Sequence, residues 1–170
     1  LPRAGKRNEQ NLLYACAALP KALQPRLVIV GEGPARETLT HLAAQVYPQA
    51  EFPGAVHGEA LAPYFAAADL FALPGTGGLA VQEAMAHALP ILVAQGDGTQ
   101  DDLVRPENGW QIPPESLPAL TTALHEALAH PASLREMGQA CYRIVDQEIN
   151  LETMVTRFIQ AALQALAHPK

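Results

Sequence analysis

The apolar run Leu70-Phe71-Ala72-Leu73, the turn Pro74-Gly75-Thr76-Gly77-Gly78, the segment Leu79-Ala80-Val81-Gln82-Glu83-Ala84-Met85-Ala86 and the apolar run Ile91-Leu92-Val93-Ala94 follow one another across residues 70–94. Each outer run is apolar throughout instead of alternating, which is the pattern of a strand covered on both faces. Between them Val81, Ala84, Met85 and Ala88 recur at helical spacing. Strand, glycine turn, helix, strand is a crossover unit, and such units join parallel neighbours.

The same unit recurs upstream with other lengths. Leu12, Leu13, Cys16 and Leu19 mark a helix from about Glu9 to the Pro20 region, and Leu27 to Val30 is a short strand that stops at Gly31-Glu32-Gly33-Pro34. Pro34 suits the first turn of the next helix, which carries Leu39, Leu42, Ala43 and Val46. Ala50 to Phe52 reads as a strand, and Leu61, Tyr64, Phe65 and Ala68 as a short helix. Beyond the Asn108-Gly109 turn and a strand at Trp110 to Ile112, three helices are expected. Their stripes are Leu117, Leu120, Leu124 and Leu128; Leu134, Met137, Cys141 and Ile144; and Leu151, Val155, Phe158, Ala162 and Leu166, the last capped by Asn150. That last stripe is expected to cover the sheet edge or to reach toward another domain. The fold class predicted is a doubly wound, Rossmann-like α/β sheet with C-terminal helices.

At 170 residues the chain is long enough for one well-buried domain. With 49% hydrophobic and 16% charged residues it is a packed chain and not a disordered one. A net charge of −6, with the basic residues mostly scattered, gives no stripe to follow a nucleic-acid backbone. No apolar run approaches the roughly 20 residues of a membrane-spanning helix, so a cytoplasmic domain without a span is expected. Cys16 and Cys141, each in an apolar helical pattern, are expected to be buried thiols, not a disulfide. The opening at Leu1 without a methionine suggests a fragment of a larger protein.

Ligands of an open parallel sheet bind outside the carboxyl ends of its strands, so the loops after the strands hold the candidate site. Gly75, Gly77 and Gly78 let backbone come close to an anion where a helix begins and its N–H groups are exposed. The same glycines equally suit a strand-to-helix turn with no ligand. Glu83, one turn into that helix, reads either as a solvated carboxylate or as an acceptor for paired ribose hydroxyls. Gly31-Glu32-Gly33-Pro34 lacks the third glycine of a dinucleotide fingerprint and reads first as a tight turn with a ligand-facing backbone. Lys6 and Arg7, with Arg3 before them, form a basic cluster that is either solvated surface or a counter-charge for a diphosphate. None of the six histidines stands at metal-ligand spacing from a Cys or Glu, so no metal is expected.

In order and spacing these segments resemble the C-terminal domain of the retaining group 1 glycosyltransferases of GT-B fold. The resemblance runs from Lys6-Arg7-Asn8 through Val28-Ile29-Val30-Gly31-Glu32-Gly33-Pro34, Phe52-Pro53-Gly54-Ala55-Val56, Ala68-Asp69-Leu70-Phe71-Ala72-Leu73-Pro74 and Gly78-Leu79-Ala80-Val81-Gln82-Glu83-Ala84-Met85-Ala86 to Glu107-Asn108-Gly109-Trp110. It implies that residues 1–170 are one nucleotide-sugar-binding domain, with a sugar or lipid-linked acceptor held by an N-terminal domain outside this chain. It implies that Glu83 holds the donor ribose, that the Ala55-Val56 backbone meets the base, and that Arg7 or Lys6 faces the diphosphate. Gly31 and Gly33 would line the donor site, with Gly75, Thr76, Gly77, Gly78 and Leu79 cradling phosphate or sugar. A second glutamate, eight positions before the ribose glutamate, is frequent in the family; here that position is Gly75.

The implied reaction is transfer of a sugar from a nucleoside diphosphate sugar to a hydroxyl, with retention and without metal or other cofactor. Its implied setting is bacterial surface polysaccharide or lipopolysaccharide assembly, in the cytoplasm or at the inner face of the membrane. Two other readings stand beside it: a nucleotide-sugar epimerase of the same architecture, and a degenerate donor domain kept as a scaffold.

Overall fold

The computed structural model describes residues 8–75, 78–96 and 98–167. The elements in chain order are α1 (Asn8–Ala18), β1 (Val28–Val30), α2 (Arg36–Val46), β2 (Glu51–Gly54), α3 (Ala62–Ala66), β3 (Phe71–Leu73), α4 (Leu79–Ala86), β4 (Ile91–Ala94), α5 (Thr99–Leu103), β5 (Gly109–Ile112), α6 (Leu117–Ala129), α7 (Pro131–Gln147) and α8 (Leu151–Ala167). All strand pairs are parallel: β1 with β2, and β3-β4-β5 in that order. No ladder joins β1 to β3 among the described residues, so the backbone pairing is split in two.

Packing rejoins what the ladder divides. Alternate residues of β4 point to opposite faces. Leu92 and Ala94 enter a core built by Leu13, Cys16, Ala43 and Leu120 of α1, α2 and α6, while Ile91 and Val93 enter one built by Met85, Leu103, Cys141 and Ile144 of α4, α5 and α7. Ile29 of β1 and Ala72 of β3 pack against the first core, so both strand groups share one helical layer. This is the three-layer, doubly wound arrangement expected from the unbroken apolar runs. Every residue of β4 is buried, and full burial of an aliphatic side chain such as Leu92 contributes about 1.5–3 kcal/mol.

Three local features differ from the expectations. Pro34 stands in the turn two residues ahead of α2, whose first residue is Arg36. Helix α5 has no counterpart among the expected helices: it is five residues of mostly polar sequence, entered from Gly98 at φ 92°, and too short to show an apolar period. Helix α8 is capped as expected, with the Thr153 N–H donating to Asn150 Oδ1 at 2.8 Å; of the two expectations for its stripe, cover over the sheet edge is the one its described residues do not meet. Phe158 is 75% and Leu166 77% exposed, and Leu151 and Val155 are exposed too.

The two thiols are buried and free, Cys16 on one side of the sheet and Cys141 on the other. Burial pushes each thiol up to about 12. Cys141 Sγ donates to the carbonyl of Asn108 at 3.3 Å, and the buried Asn108 side chain ties the turn before β5, accepting from Arg105 N at 2.6 Å and donating to the Leu103 carbonyl at 2.9 Å. No helix among the described residues is long and apolar enough to cross a membrane.

Candidate functional site

Parallel pairing sends the carboxyl ends of β1 and β2 to one edge, and those of β3, β4 and β5 likewise. The turn after β1 and the end of β2 meet directly. Gly31 N–H donates to the Gly54 carbonyl at 2.9 Å. Arg36, the first residue of α2, pairs with Glu32 in the turn and donates from Nη2 to the Phe52 carbonyl at 3.0 Å. Gly54 closes this knot at φ 89°, where a Cβ would stand 2.9 Å from Glu32 Oε1. The next residues, Ala55 and Val56, are exposed and half-buried.

The Gly31 and Gly33 positions are open: a Cβ built on either meets nothing within 4 Å. A hollow of about 790 Å3 runs from Gly33 and Pro34 along Arg36, Glu37 and Thr40 of α2. Of the candidate residues Gly33 lines it and Glu83, Gly75 and Ala55 do not, so the hollow meets the candidate site at the turn after β1.

The end of β3 leads through buried Pro74 and half-buried Gly75 to Gly78 and α4. Helix α4 buries Val81, Ala84 and Met85, and this fixes its opposite face toward solvent. On that face Leu79 is 83% exposed and Glu83, one turn later, is exposed with it. Helical side chains lean toward the amino-terminal end of their helix, so Glu83 is directed toward the start of α4. It belongs to none of the ion pairs among the described residues.

Of the residues singled out in the sequence, the structure brings Gly31, Gly33, Ala55 and Val56 together around the β1 and β2 ends, and sets Gly75, Gly78, Leu79 and Glu83 along the β3 end and α4. Lys6, Arg7, Arg3, Thr76 and Gly77 lie outside the described residues. The sequence reading missed Arg36 and Glu32 as organisers of the rim; a Glu and an Arg four apart across a turn into a helix was the available signal. It also missed Gln100 and Gln111, near the carboxyl ends of β4 and β5, whose buried Oε1 atoms find no donor among the described residues.

Two ion pairs lie away from this rim. Arg26, ahead of β1, donates to Glu51 at 2.6 and 2.9 Å, and this bond holds the Glu51 carboxyl below the usual range. Arg105 does the same for Glu148 at the end of α7. Both are exposed or half-exposed pairs of small energetic weight.

Known proteins are similar to this chain in sequence and in fold. A GDP-mannose-dependent alpha-mannosyltransferase of Mycolicibacterium smegmatis is 42% identical over 124 residues, covering 71% of this chain and 31% of the relative. A GDP-mannose-dependent monoacylated alpha-(1-6)-phosphatidylinositol monomannoside mannosyltransferase of Corynebacterium glutamicum is 30% identical over 154 residues, covering 82% and 40%. Among solved structures, sucrose-phosphate synthase of Thermosynechococcus elongatus superposes with a TM-score of 0.78 at 27% identity over 95% of this chain and 43% of its own. HepE of Anabaena, solved with UDP, shares the fold with a TM-score of 0.78 at 18% identity over 93% and 45%. The chain thus spans less than half the length of these relatives. Residues 3–130 match the model of the glycosyl transferases group 1, and the chain belongs to that family.

Proposed function

We propose that this chain is the donor-binding domain of a retaining glycosyltransferase, which moves a sugar from a nucleoside diphosphate sugar to a hydroxyl of a sugar or lipid-linked acceptor. The observation that carries the reading is α4: a glycine turn at the carboxyl end of β3 opens into a helix whose buried face leaves Glu83 exposed on the other. In this reading Glu83 accepts hydrogen bonds from the ribose hydroxyls and the Ala55-Val56 backbone meets the base. The Gly75, Thr76, Gly77, Gly78 and Leu79 stretch cradles the diphosphate and sugar.

Departure of the nucleoside diphosphate builds negative charge, and groups aimed at that charge accelerate the step. The helix amides at Gly78 and Leu79 and the side chains of Arg7 and Lys6 take that role, without a metal. GDP-mannose is the donor favoured by the names of the relatives above, and the phosphatidylinositol mannoside in one of those names supports a glycolipid or surface-glycan setting. Gly75, in place of the carboxylate frequent in the family, shifts sugar recognition onto backbone groups in this scheme. It also motivates the second reading, a donor domain retained as a scaffold.

The test is calorimetric titration of the chain with GDP, UDP and ADP, with and without magnesium, comparing wild type with Glu83→Ala. Metal-independent binding, tightest for GDP and weakened by the substitution, is the expected result. Nucleotide binding that Glu83→Ala leaves unchanged removes the ribose assignment; absence of sugar transfer by the full-length protein, with nucleotide binding intact, favours the scaffold.

A further inference from the structure

We propose that Arg36 is a positioning residue that sets base preference, by fixing the Ala55-Val56 backbone against the Gly31–Gly33 turn. The proposal rests on the donor-binding reading above and adds to it a residue that touches no ligand.

The need for such a residue begins with Pro53. A proline supplies no N–H to a ladder, and the β1–β2 register slips where it stands. Val28 faces Glu51 and Val30 faces Gly54, so two steps along β1 match three along β2. This is a bulge, a device that bends a strand and re-aims the residues downstream of it. Immediately downstream lie Ala55 and Val56. Because β2 pairs only with β1 among the described residues, no second strand steadies the bulge.

Arg36 does so from the side. Its guanidinium presents donors in a fixed planar fork. Nη2 reaches the Phe52 carbonyl inside the bulge at 3.0 Å, and Nη1 pairs with Glu32 in the turn after β1. Three segments, the start of α2, the turn and the bulged strand, are thereby held by one side chain. A further link, Gly31 N–H to the Gly54 carbonyl at 2.9 Å, joins the turn to the end of β2 by backbone alone. Position 54 accepts only glycine comfortably, since its φ is 89° and a Cβ would press on Glu32 Oε1 at 2.9 Å. The turn, the bulge and the arginine thus form one unit at the mouth of the candidate base site.

A lysine at position 36 has one ammonium on a flexible stem and cannot hold both acceptors in the same geometry. The ribose and diphosphate are common to the three nucleotides GDP, UDP and ADP, whereas base-facing backbone distinguishes them. Loosening the bulge should therefore change the ratio of affinities, and removing Glu83 should lower all of them together.

The experiment titrates the wild-type chain, Arg36→Ala, Arg36→Lys and Glu83→Ala with GDP, UDP and ADP, and records a thermal melt of each. Arg36→Ala is expected to weaken the preferred nucleotide about tenfold, the scale of one charge-assisted hydrogen bond, while changing the others less. Arg36→Lys should fall between it and wild type, and Glu83→Ala should leave the ratios as they were. If Arg36→Ala does not melt cooperatively, Arg36→Lys and Glu32→Gln carry the same comparison. Unchanged ratios in folded Arg36 variants overturn the proposal and leave the donor-binding reading standing. No binding of any nucleotide by the wild-type chain overturns both.

Discussion

Glycines at the two ends of the sheet meet different neighbours. At the amino ends of the strands they bring backbone against backbone. A Cβ on Gly109, where β5 begins, would lie 2.0 Å from the Ile91 carbonyl oxygen, and one on Gly138 of α7 would lie 2.0 Å from that of Ala88, just before β4. At the carboxyl ends Gly31 and Gly33 face open space. The amino end is closed by its glycines, while the carboxyl end holds two open positions, Gly31 and Gly33, beside Gly54, which meets the Glu32 side chain; a glycine in the sequence does not say which of these it will be.

The largest effect expected belongs to the closed end. Gly138→Ala must displace the backbone around Ala88 or move α7, at a loss of about 3 kcal/mol or more, read as a fall of roughly 6–12 °C in Tm. A variant that melts with the wild type would show that the two ends do not differ as described. At the open end Glu83→Ala is expected to cost about 1–3 kcal/mol of nucleotide binding with little change in Tm, since the side chain is exposed. An equal loss of stability would mean that Glu83 supports the fold. Gly33→Ala sharpens the contrast further: stability should stay within about 0.5 kcal/mol of wild type in urea unfolding, while nucleotide titration shows weaker binding.

A further effect is one of pH, and it grows with the pH reached. A thiol raised to about 12 in the folded chain, against about 8.5 unfolded, ionises first in the unfolded state. The stability this burial supports is complete below about pH 8.5 and declines as pH rises toward 12. Melts from pH 8 to 11 should show a falling Tm, with a shallower slope in Cys16→Ala. Neither thiol should react with a thiol reagent at pH 8 until the chain unfolds, and rapid labelling of the native chain would show that the cores are open.

The same contrast accounts for which features are legible in the sequence. Strand β4 is legible because four consecutive apolar residues between a helix and a polar turn fit a strand buried on both faces, and α4 because its buried face repeats at helical spacing. The Asn150 cap is legible because it is local. The Arg36 knot is not, since it depends on a bulge whose register is settled only when Pro53 meets β1. Helix α5 carries no apolar period in its five residues. Helix α8 is legible as a helix, but amphipathicity states that a face is apolar and does not name what it lies against, and its stripe proves exposed. Of the candidate site, the glycine turns and Glu83 are visible as residue types at strand ends; the exposure of Glu83 emerges only once α4 has packed its other side.

The two-sided burial of β4 bears on how the domain comes apart. A ladder split between β1-β2 and β3-β4-β5 suggests two pieces, yet Ile29, Ala72 and Leu92 share one helical layer, and the other side chains of β4 belong to the second. Neither layer is complete without that strand. Peeling away the β1-β2 pair would strip the α1, α2 and α6 face that supports β4, so the domain should unfold as a single cooperative unit, with amide protection in both strand groups lost together.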